Sequence, residues 1–194
     1  MKKSIKTLLT RSSFTTNDAR EVKISTARLA YHIRKGRIRR LARGIYQSTS
    51  YQYPSKSFQW EDLIEAVNSI PNGVISLISA LAIYGITEKI PRKHWISVPH
   101  NTSIIRNDGI RIVRFRNMEL GKTIINLGGI EVLIFDRERT IIDSFRLLSR
   151  ETAIKALKMA LSKKGKERID LKKLQMYAKK LRCNIDPYLT TLLV

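Results

Sequence analysis

The chain has 194 residues, 43% of them hydrophobic, which suffices for one large or two small folded domains and excludes a disordered chain. Lys and Arg total 37 against 16 Asp and Glu, a net charge of +21, which indicates a polyanionic partner. DNA and RNA are the leading candidates. No apolar run is long enough for a membrane span and the N-terminus lacks a signal-like segment, which predicts a soluble cytoplasmic protein without membrane partners.

The charge is concentrated at the two ends of the chain. The net charge is +11 over residues 1–50, +2 over residues 51–149 and +8 over residues 150–194. The single cysteine, Cys183, excludes an internal disulfide. Together with only three scattered histidines, it also argues against a structural zinc site. The sequence therefore predicts no metal and no cofactor.

The first residues have the element order of a helix-turn-helix. Helical spacing of apolar residues predicts one helix within residues 2–11 and a second that runs through Val22, capped by Thr16 or Asn17. Only a few residues separate Val22 from the next helix. The second and third helices must therefore turn sharply against one another.

The stretch 25–46 is predicted to be a recognition helix followed by a basic wing. Ser25 stands at an N-cap position and Gly36 stands where a helix ends. The inner face is predicted from apolar residues at helical spacing, which are Leu29, Ile33 and the side of Ala30. After Gly36 the apolar residues alternate with arginines, and Gly44 supplies a tight bend. This pattern predicts a short hairpin with arginines at its tip.

The outward face of that helix and the wing supply the candidate DNA contacts. The helix candidates are Ser25, Thr26, Arg28, Tyr31, His32, Arg34 and Lys35. The wing candidates are Arg37, Arg39, Arg40 and Arg43. An arginine on the helix can recognise guanine through two hydrogen-bond donors, whereas lysine mainly neutralises phosphate. The arginines of the wing are suited to contact a minor groove or the flanking phosphates. A solvated basic face is the alternative, disfavoured by the adjacent wing.

The polar segment 51–57 predicts a boundary between a winged helix-turn-helix domain over 1–50 and an α+β domain over 58–194. Helical spacing predicts helices near 60–67, 76–84, 139–148, 153–161 and 170–181. Period-two alternation predicts strands at 95–98, 110–115, 123–127 and 130–135, with turns at 107–109 and 128–129. The strands are too close together for intervening helices. We therefore expect a four-stranded antiparallel or mixed sheet covered by helices.

The C-terminal end carries a second cluster of cations, which is either a second nucleic-acid surface or an ordinary solvated face. Its members are Lys163, Lys164, Lys166, Arg168, Lys172, Lys173, Lys179, Lys180 and Arg182.

The acidic residues do not form the pattern expected of a catalytic site. Arg139 and Asp143, four residues apart on a predicted helix, are interpreted with Glu138 as a surface or partly buried ion-pair region rather than a catalytic cluster. A restriction-type nuclease site could draw its acids from Asp108 and Glu131. The required lysine is missing, because position 133 is leucine. No catalytic residue is predicted.

Four blocks along the chain resemble AbiEi-like antitoxins. They cover residues 14–20, 36–46, 74–87 and 138–143, and the resemblance as a whole extends over roughly residues 10–150. Their order and spacing together carry the resemblance. It implies a non-enzymatic antitoxin of a type IV toxin-antitoxin, or abortive-infection, operon.

The same resemblance implies two activities and their partners. The winged helix is expected to repress the protein's own operon by binding double-stranded operator DNA, as a monomer or weak dimer. The second domain is expected to counteract a nucleotidyltransferase-like toxin without a stable complex. The alternatives are a nuclease delivered by a winged helix and a plain DNA-binding regulator without a toxin partner.

Overall fold

The computed structural model describes residues 5–103 and 108–193, which form two compact units. The first comprises the chain up to Gly73 together with Asn126–Val132, and the second comprises Val74–Ile125 together with the chain from Leu133. The segment that follows the predicted boundary at 51–57 thus groups with the first unit. A division of function at 51–57 stays a prediction. The beginning of the first predicted helix and Asn107 lie outside the described residues.

The first unit contains a winged helix-turn-helix followed by a 3-10 helix and one α-helix. Its elements are α1 Ile5–Leu9, β1 Phe14–Thr15, α2 Thr16–Glu21, α3 Thr26–Arg34, β2 Ile38–Ala42, β3 Ile45–Ser48, a 3-10 helix over Ser55–Trp60, and α4 Glu61–Asn68. The three strands form an antiparallel sheet in the order β1-β3-β2. The buried core of the winged helix-turn-helix consists of Leu8, Phe14, Ala19, Ile24, Leu29 and Ile38.

The turn between α2 and α3 is fixed by local hydrogen bonds. Thr15 caps α2: its hydroxyl accepts the N–H of Asp18 at 3.1 Å, and the Asp18 carboxylate accepts the N–H of Thr15 at 2.7 Å. The predicted cap at Thr16 or Asn17 is therefore wrong by at least one residue, because Asp18 completes a reciprocal capping box only with Thr15. Lys23 then adopts a left-handed conformation with φ of 62° and reverses the chain toward α3.

A five-stranded mixed sheet supplies the strands of the second unit, except that Asn126–Val132, at the turn between its last two strands, groups with the first unit. Its strands are β4 Val74–Ile75, β5 His94–Pro99, β6 Ile110–Phe115, β7 Lys122–Leu127 and β8 Ile130–Phe135, in the order β6-β5-β4-β8-β7. β4 is antiparallel to β5 and parallel to β8, whereas β5 and β6 are parallel. The α+β class and a mixed sheet are confirmed. The count of four strands is wrong because the two-residue strand β4 is too short to show a period.

Helices pack together on this unit around one buried apolar cluster. They are α5 Leu77–Ile83, α6 Arg137–Leu147, α7 Arg150–Ser162, α8 Leu171–Lys180 and α9 Asp186–Leu193, with a 3-10 helix over Gly165–Glu167. Each of the five α-helices contributes buried side chains, among them Leu81, Ile141, Leu157, Leu174 and Leu189. The last helix, α9, was not predicted. None of the described helices has the length and apolar character needed to cross a membrane.

Arg139 is fully buried and joins α6 to the loop between β6 and β7. Its guanidinium donates to the Asp143 carboxylate at 2.7 Å, to the carbonyl of Leu120 at 2.9 Å and to that of Asn117 at 3.2 Å. Both side chains of the ion pair are only 1% exposed. The predicted ion pair is confirmed, but it is deeper than the surface or partly buried pair expected. Its geometry serves packing, not a solvent-accessible reaction.

Candidate nucleic-acid interface

The ends and inner side of α3 are fixed within the first unit. The Ser25 hydroxyl accepts the N–H of Arg28 at 3.3 Å and caps the helix. After the last turn, Gly36 has a φ of +65°, a conformation that glycine adopts without a steric penalty. Leu29 is 1% exposed and inserts into the apolar core. These anchors confirm the predicted helix and hold its opposite face toward solvent.

Most of the predicted contact residues on this helix are exposed. The exposed candidates are Ser25, Thr26, Arg28, Tyr31, Arg34 and Lys35. Among the described residues, none carries an acidic group within ion-pair distance of Arg28, Arg34 or Lys35. These three cations are therefore available to an external anion, at the cost only of their hydration.

The structure exchanges the predicted roles of His32 and Ile33. His32 is 8% exposed, whereas Ile33 is 36% exposed. The expectation that His32 faces outward and Ile33 inward is wrong. His32 lies three residues after Leu29 and continues the inner face, while Ile33 falls at the edge of the helix. A residue three or four positions after Leu29 can lie on the inner face of the helix. The sequence suggested Ile33 for that face because isoleucine is more hydrophobic than histidine.

His32 lies under the basic surface without a full set of hydrogen bonds. Its ring contacts Tyr31 edge-on, with 5.5 Å between ring centroids, and its carbonyl accepts the N–H of Arg37 at 3.0 Å. No described group hydrogen-bonds its Nδ1. Burial lowers the pKa of His32, and the nearby charges of Arg37 and Arg28 lower it further. The neutral imidazole is thus the form that this site accepts.

We predict that the free energy of unfolding of the first unit falls as the pH drops through 6.5, the ordinary pKa of histidine. Below that value the unfolded chain binds a proton at His32 that the folded chain resists, so stability is complete above it and is lost as the pH decreases. Denaturant titrations at a series of pH values measure the slope of the free energy of unfolding against pH. His32→Gln, which cannot titrate, is expected to show a shallower slope; an unchanged slope contradicts the prediction.

The wing is the hairpin formed by β2 and β3, as predicted. Gly44 has a φ of +78° at its bend, and its carbonyl accepts the N–H of Thr16 at 2.9 Å, which ties the hairpin to the beginning of α2. Arg43 beside the bend is exposed, as is Arg37 before β2, and neither has an acidic partner among the described residues. The Nε of Arg40 donates to the carbonyl of Ala42 at 3.1 Å, which holds its side chain along the strand.

Arg39 differs from the other wing arginines because, among the described residues, it alone is paired with an acidic side chain, in a half-exposed ion pair. Its Nε donates to the Gln47 side-chain carbonyl at 2.7 Å and its Nη2 lies 3.0 Å from the Glu65 carboxylate on α4. Gln47 is buried, and its amide nitrogen donates to the carbonyl of Ser12 and to the hydroxyl of Tyr53. Arg39 is therefore positioned to fix the wing against α4. A phosphate contact would require it to leave these partners.

The C-terminal cations do not all form one free surface. Lys173 is half-buried, with its Nζ 2.9 Å from Asp136 and 3.5 Å from Glu138, and Lys163 is 3.2 Å from Glu167. Burial alone would lower the pKa of Lys173, but the hydrogen bond and charge of Asp136 outweigh it and raise the pKa. The prediction that Lys173 belongs to a free basic surface is therefore wrong, because Asp136 and Glu138 already pair with it. The exposed cations of this cluster that remain are Lys164, Lys166, Arg168, Lys172, Lys179, Lys180 and Arg182.

The acids considered for a nuclease do not converge with metal-binding partners. Asp108 precedes β6, at one edge of the sheet, and Glu131 lies in β8, which is not adjacent to β6. Within residues 5–103 and 108–193, no group of three or more His, Cys, Asp or Glu side chains is arranged to hold a metal ion. No observed geometry therefore favours the nuclease alternative.

Comparison with known families gives one match. Residues 4–49 match the protein family described as "Transcriptional regulator, AbiEi antitoxin". The match ends one residue after β3, so it covers the winged helix-turn-helix and confirms the resemblance there. The chain has no match among curated proteins. A role as a transcriptional regulator or antitoxin is thus supported, whereas the resemblance of blocks 74–87 and 138–143 stays a prediction.

Proposed function

We propose that the protein binds the operator of its own operon through α3 and the wing and represses transcription there. We also propose that it is the antitoxin of a type IV pair whose toxin is nucleotidyltransferase-like. The observation that carries the first half is the set of exposed cations on α3 and the wing that have no acidic partner among the described residues, within the segment that matches the antitoxin regulators.

The proposed docking uses the ordinary geometry of a winged helix-turn-helix. The first turn of α3 enters the major groove of double-stranded DNA, where recognition helices contact base edges. Arg28, Arg34 and Lys35 contact bases or the adjacent phosphates, and Arg37 and Arg43 neutralise phosphates beside the groove. Arg39 holds the wing in position through Gln47 and Glu65 instead of contacting DNA.

A gel-shift titration tests the DNA half of the proposal. The full chain is titrated against the DNA directly upstream of its own gene and against a shuffled duplex of equal length, from 50 to 200 mM salt. We expect binding to both at low salt and a preference for the upstream DNA that persists as salt rises, because base contacts are less sensitive to salt than phosphate contacts. Equal affinity for the two duplexes throughout would overturn specific repression.

The antitoxin half assigns toxin neutralisation to the α+β domain, so it does not require α3 to bind DNA. The proposed boundary at residues 51–57 separates the two activities. The partner is a nucleotidyltransferase-like toxin encoded beside this gene, and no stable complex with it is required. This assignment follows the family resemblance and the grouping of β5, β6 and the C-terminal helices into a separate unit.

A co-expression assay tests that separation. A variant that combines Arg28→Ala, Arg34→Ala and Arg43→Ala is produced together with the neighbouring toxin, and growth is compared with that of cells producing the unaltered protein. We expect full rescue of growth with derepressed transcription from the operon promoter. Loss of rescue in a folded triple variant would mean that antitoxin activity depends on DNA binding, and failure of the unaltered protein to rescue would refute the antitoxin assignment.

The exposed C-terminal cations are proposed as a second nucleic-acid contact. Lys172 and Lys179 lie seven residues apart on α8, so they share one side of this helix. If that side contacts DNA or RNA, Lys172→Ala together with Lys179→Ala lowers the salt dependence of binding. An unchanged dependence assigns these lysines to a solvated face.

A further inference from the structure

The exposed side of α3 carries methyl groups between its cations. Thr26, Ala30 and Ile33 follow at positions i, i+4 and i+7, so they line one face of the helix, with Ala27 beside them. All four residues are exposed, and Ile33 is exposed by 36%. We call this set, Thr26, Ala27, Ala30 and Ile33, the methyl face.

The methyl face is not required by the core of the first unit. The inner side of α3 is already supplied by Leu29 and His32, which are 1% and 8% exposed. Single exposed apolar residues are common on proteins and need no special explanation. Here, however, Thr26, Ala30 and Ile33 form a continuous uncharged stripe along the helix, with Ala27 on the far side of Arg34, which follows Ala30 by four residues.

The composition of this face suits close contact with the floor of a major groove. Alanine side chains are short, so the backbone of the first turn can approach base edges without a gap. Thr26 and Ala27 lie in that first turn, which is the part of a recognition helix that reaches the bases. The group that small apolar side chains contact there is the 5-methyl of thymine, which no other standard base carries.

We propose that the methyl face reads thymine through its 5-methyl group and that Ile33 is a specificity-determining residue. This inference rests on the proposed DNA binding. Arg28 and Lys35 on the opposite flank of the helix supply phosphate attraction, whereas the methyl face distinguishes T·A pairs from the others. The site chosen by the protein therefore contains thymines opposite the first and last turns of α3.

Replacing thymine by deoxyuridine tests the contact directly, because the pair keeps its hydrogen bonds and loses only one methyl group. A binding site is first selected by the full chain from a random duplex library, and each thymine in it is then replaced in turn. At a contacted thymine we expect about a fourfold loss of affinity, the effect of losing one buried methyl-sized group. Thymines outside the contact are expected to show no change.

Ile33→Ala gives the matched protein variant. On the thymine duplex it is expected to weaken binding several-fold, and at the base contacted by Ile33 it should no longer distinguish thymine from deoxyuridine. Lys35→Ala is the control, because loss of a phosphate contact weakens binding to both duplexes equally. Thermal unfolding of each variant verifies that the exposed substitution leaves the first unit folded.

The outcomes separate this inference from the proposed function. If the library yields no preferred sequence, specific DNA binding and the inference both fail. If a preferred sequence is found but deoxyuridine changes nothing at any position, or Ile33→Ala responds to deoxyuridine as the unaltered protein does, the inference fails while the proposed DNA binding stands. If Ile33→Ala alone fails to distinguish thymine from deoxyuridine, the inference is supported.

Discussion

Arg139→Ala is expected to destabilise the second unit by about 3–5 kcal/mol, the usual cost of removing one partner of a buried ion pair. The substitution leaves the buried Asp143 carboxylate with Arg146 alone, at 2.6 Å, and leaves the carbonyls of Leu120 and Asn117 without this donor. It also removes a guanidinium packed 4.7 Å from the centre of the Phe135 ring and 5.1 Å from that of Phe115.

An exposed pair of the same spacing provides the control for Arg139. Lys155 and Glu151 are also four residues apart, at 2.8 Å, but their side chains are 64% and 75% exposed. Water screens this pair, so Lys155→Ala should leave the unfolding midpoint nearly unchanged. Urea titrations followed by the fluorescence of Trp95 in β5, in a Trp60→Phe background, report on the second unit. A midpoint shift for Arg139→Ala no larger than that for Lys155→Ala would contradict the role assigned to Arg139.

The partner substitution tests whether the pair acts as a unit. Asp143→Leu alone leaves the Arg139 charge buried with only carbonyl acceptors, so it should be strongly destabilising as well. Arg139→Met combined with Asp143→Leu removes both charges and keeps much of the volume. The double variant should lose less stability than Arg139→Met and Asp143→Leu lose when measured singly and added together. Additive losses would mean that the two side chains act independently.

Sequence patterns predicted the longer elements because several residues repeat the same signal. The strands β6 and β8 have the predicted bounds, 110–115 and 130–135, since alternation over six residues is distinctive. The two-residue strand β4 offers no repeat. It becomes a strand because β5 and β8 lie on either side of it, which is information from distant parts of the chain.

The candidate interface was predicted in outline but not at the level of individual side chains. Ser25 and Gly36 marked the ends of α3 because capping chemistry is local. The burial of His32 instead of Ile33 depends on the rotation of α3 about its axis, which the surrounding core decides. The pairing of Arg39 with Glu65 joins residues 26 positions apart, and nothing in the local sequence indicates it.

The arginines of the interface should separate into two classes in the salt dependence of operator binding. Each phosphate contact contributes about 0.9 to the slope of log K against log salt. The triple variant with alanine at Arg28, Arg34 and Arg43 should therefore flatten the slope by roughly three units and weaken binding about a thousandfold at 50 mM salt.

Arg39→Ala provides the matched comparison, because it removes the same charge from the same hairpin. Its guanidinium is held by Gln47 and Glu65, so its loss should leave the slope nearly unchanged even if a less firmly held wing weakens binding. Glu65→Ala should then resemble Arg39→Ala in affinity, since either substitution breaks the same link to α4. Fluorescence anisotropy between 50 and 300 mM salt distinguishes the classes. If the slope of log K against log salt flattens by a full unit for Arg39→Ala, this arginine leaves Glu65 to contact phosphate. The wing would then not be fixed against α4 in the complex.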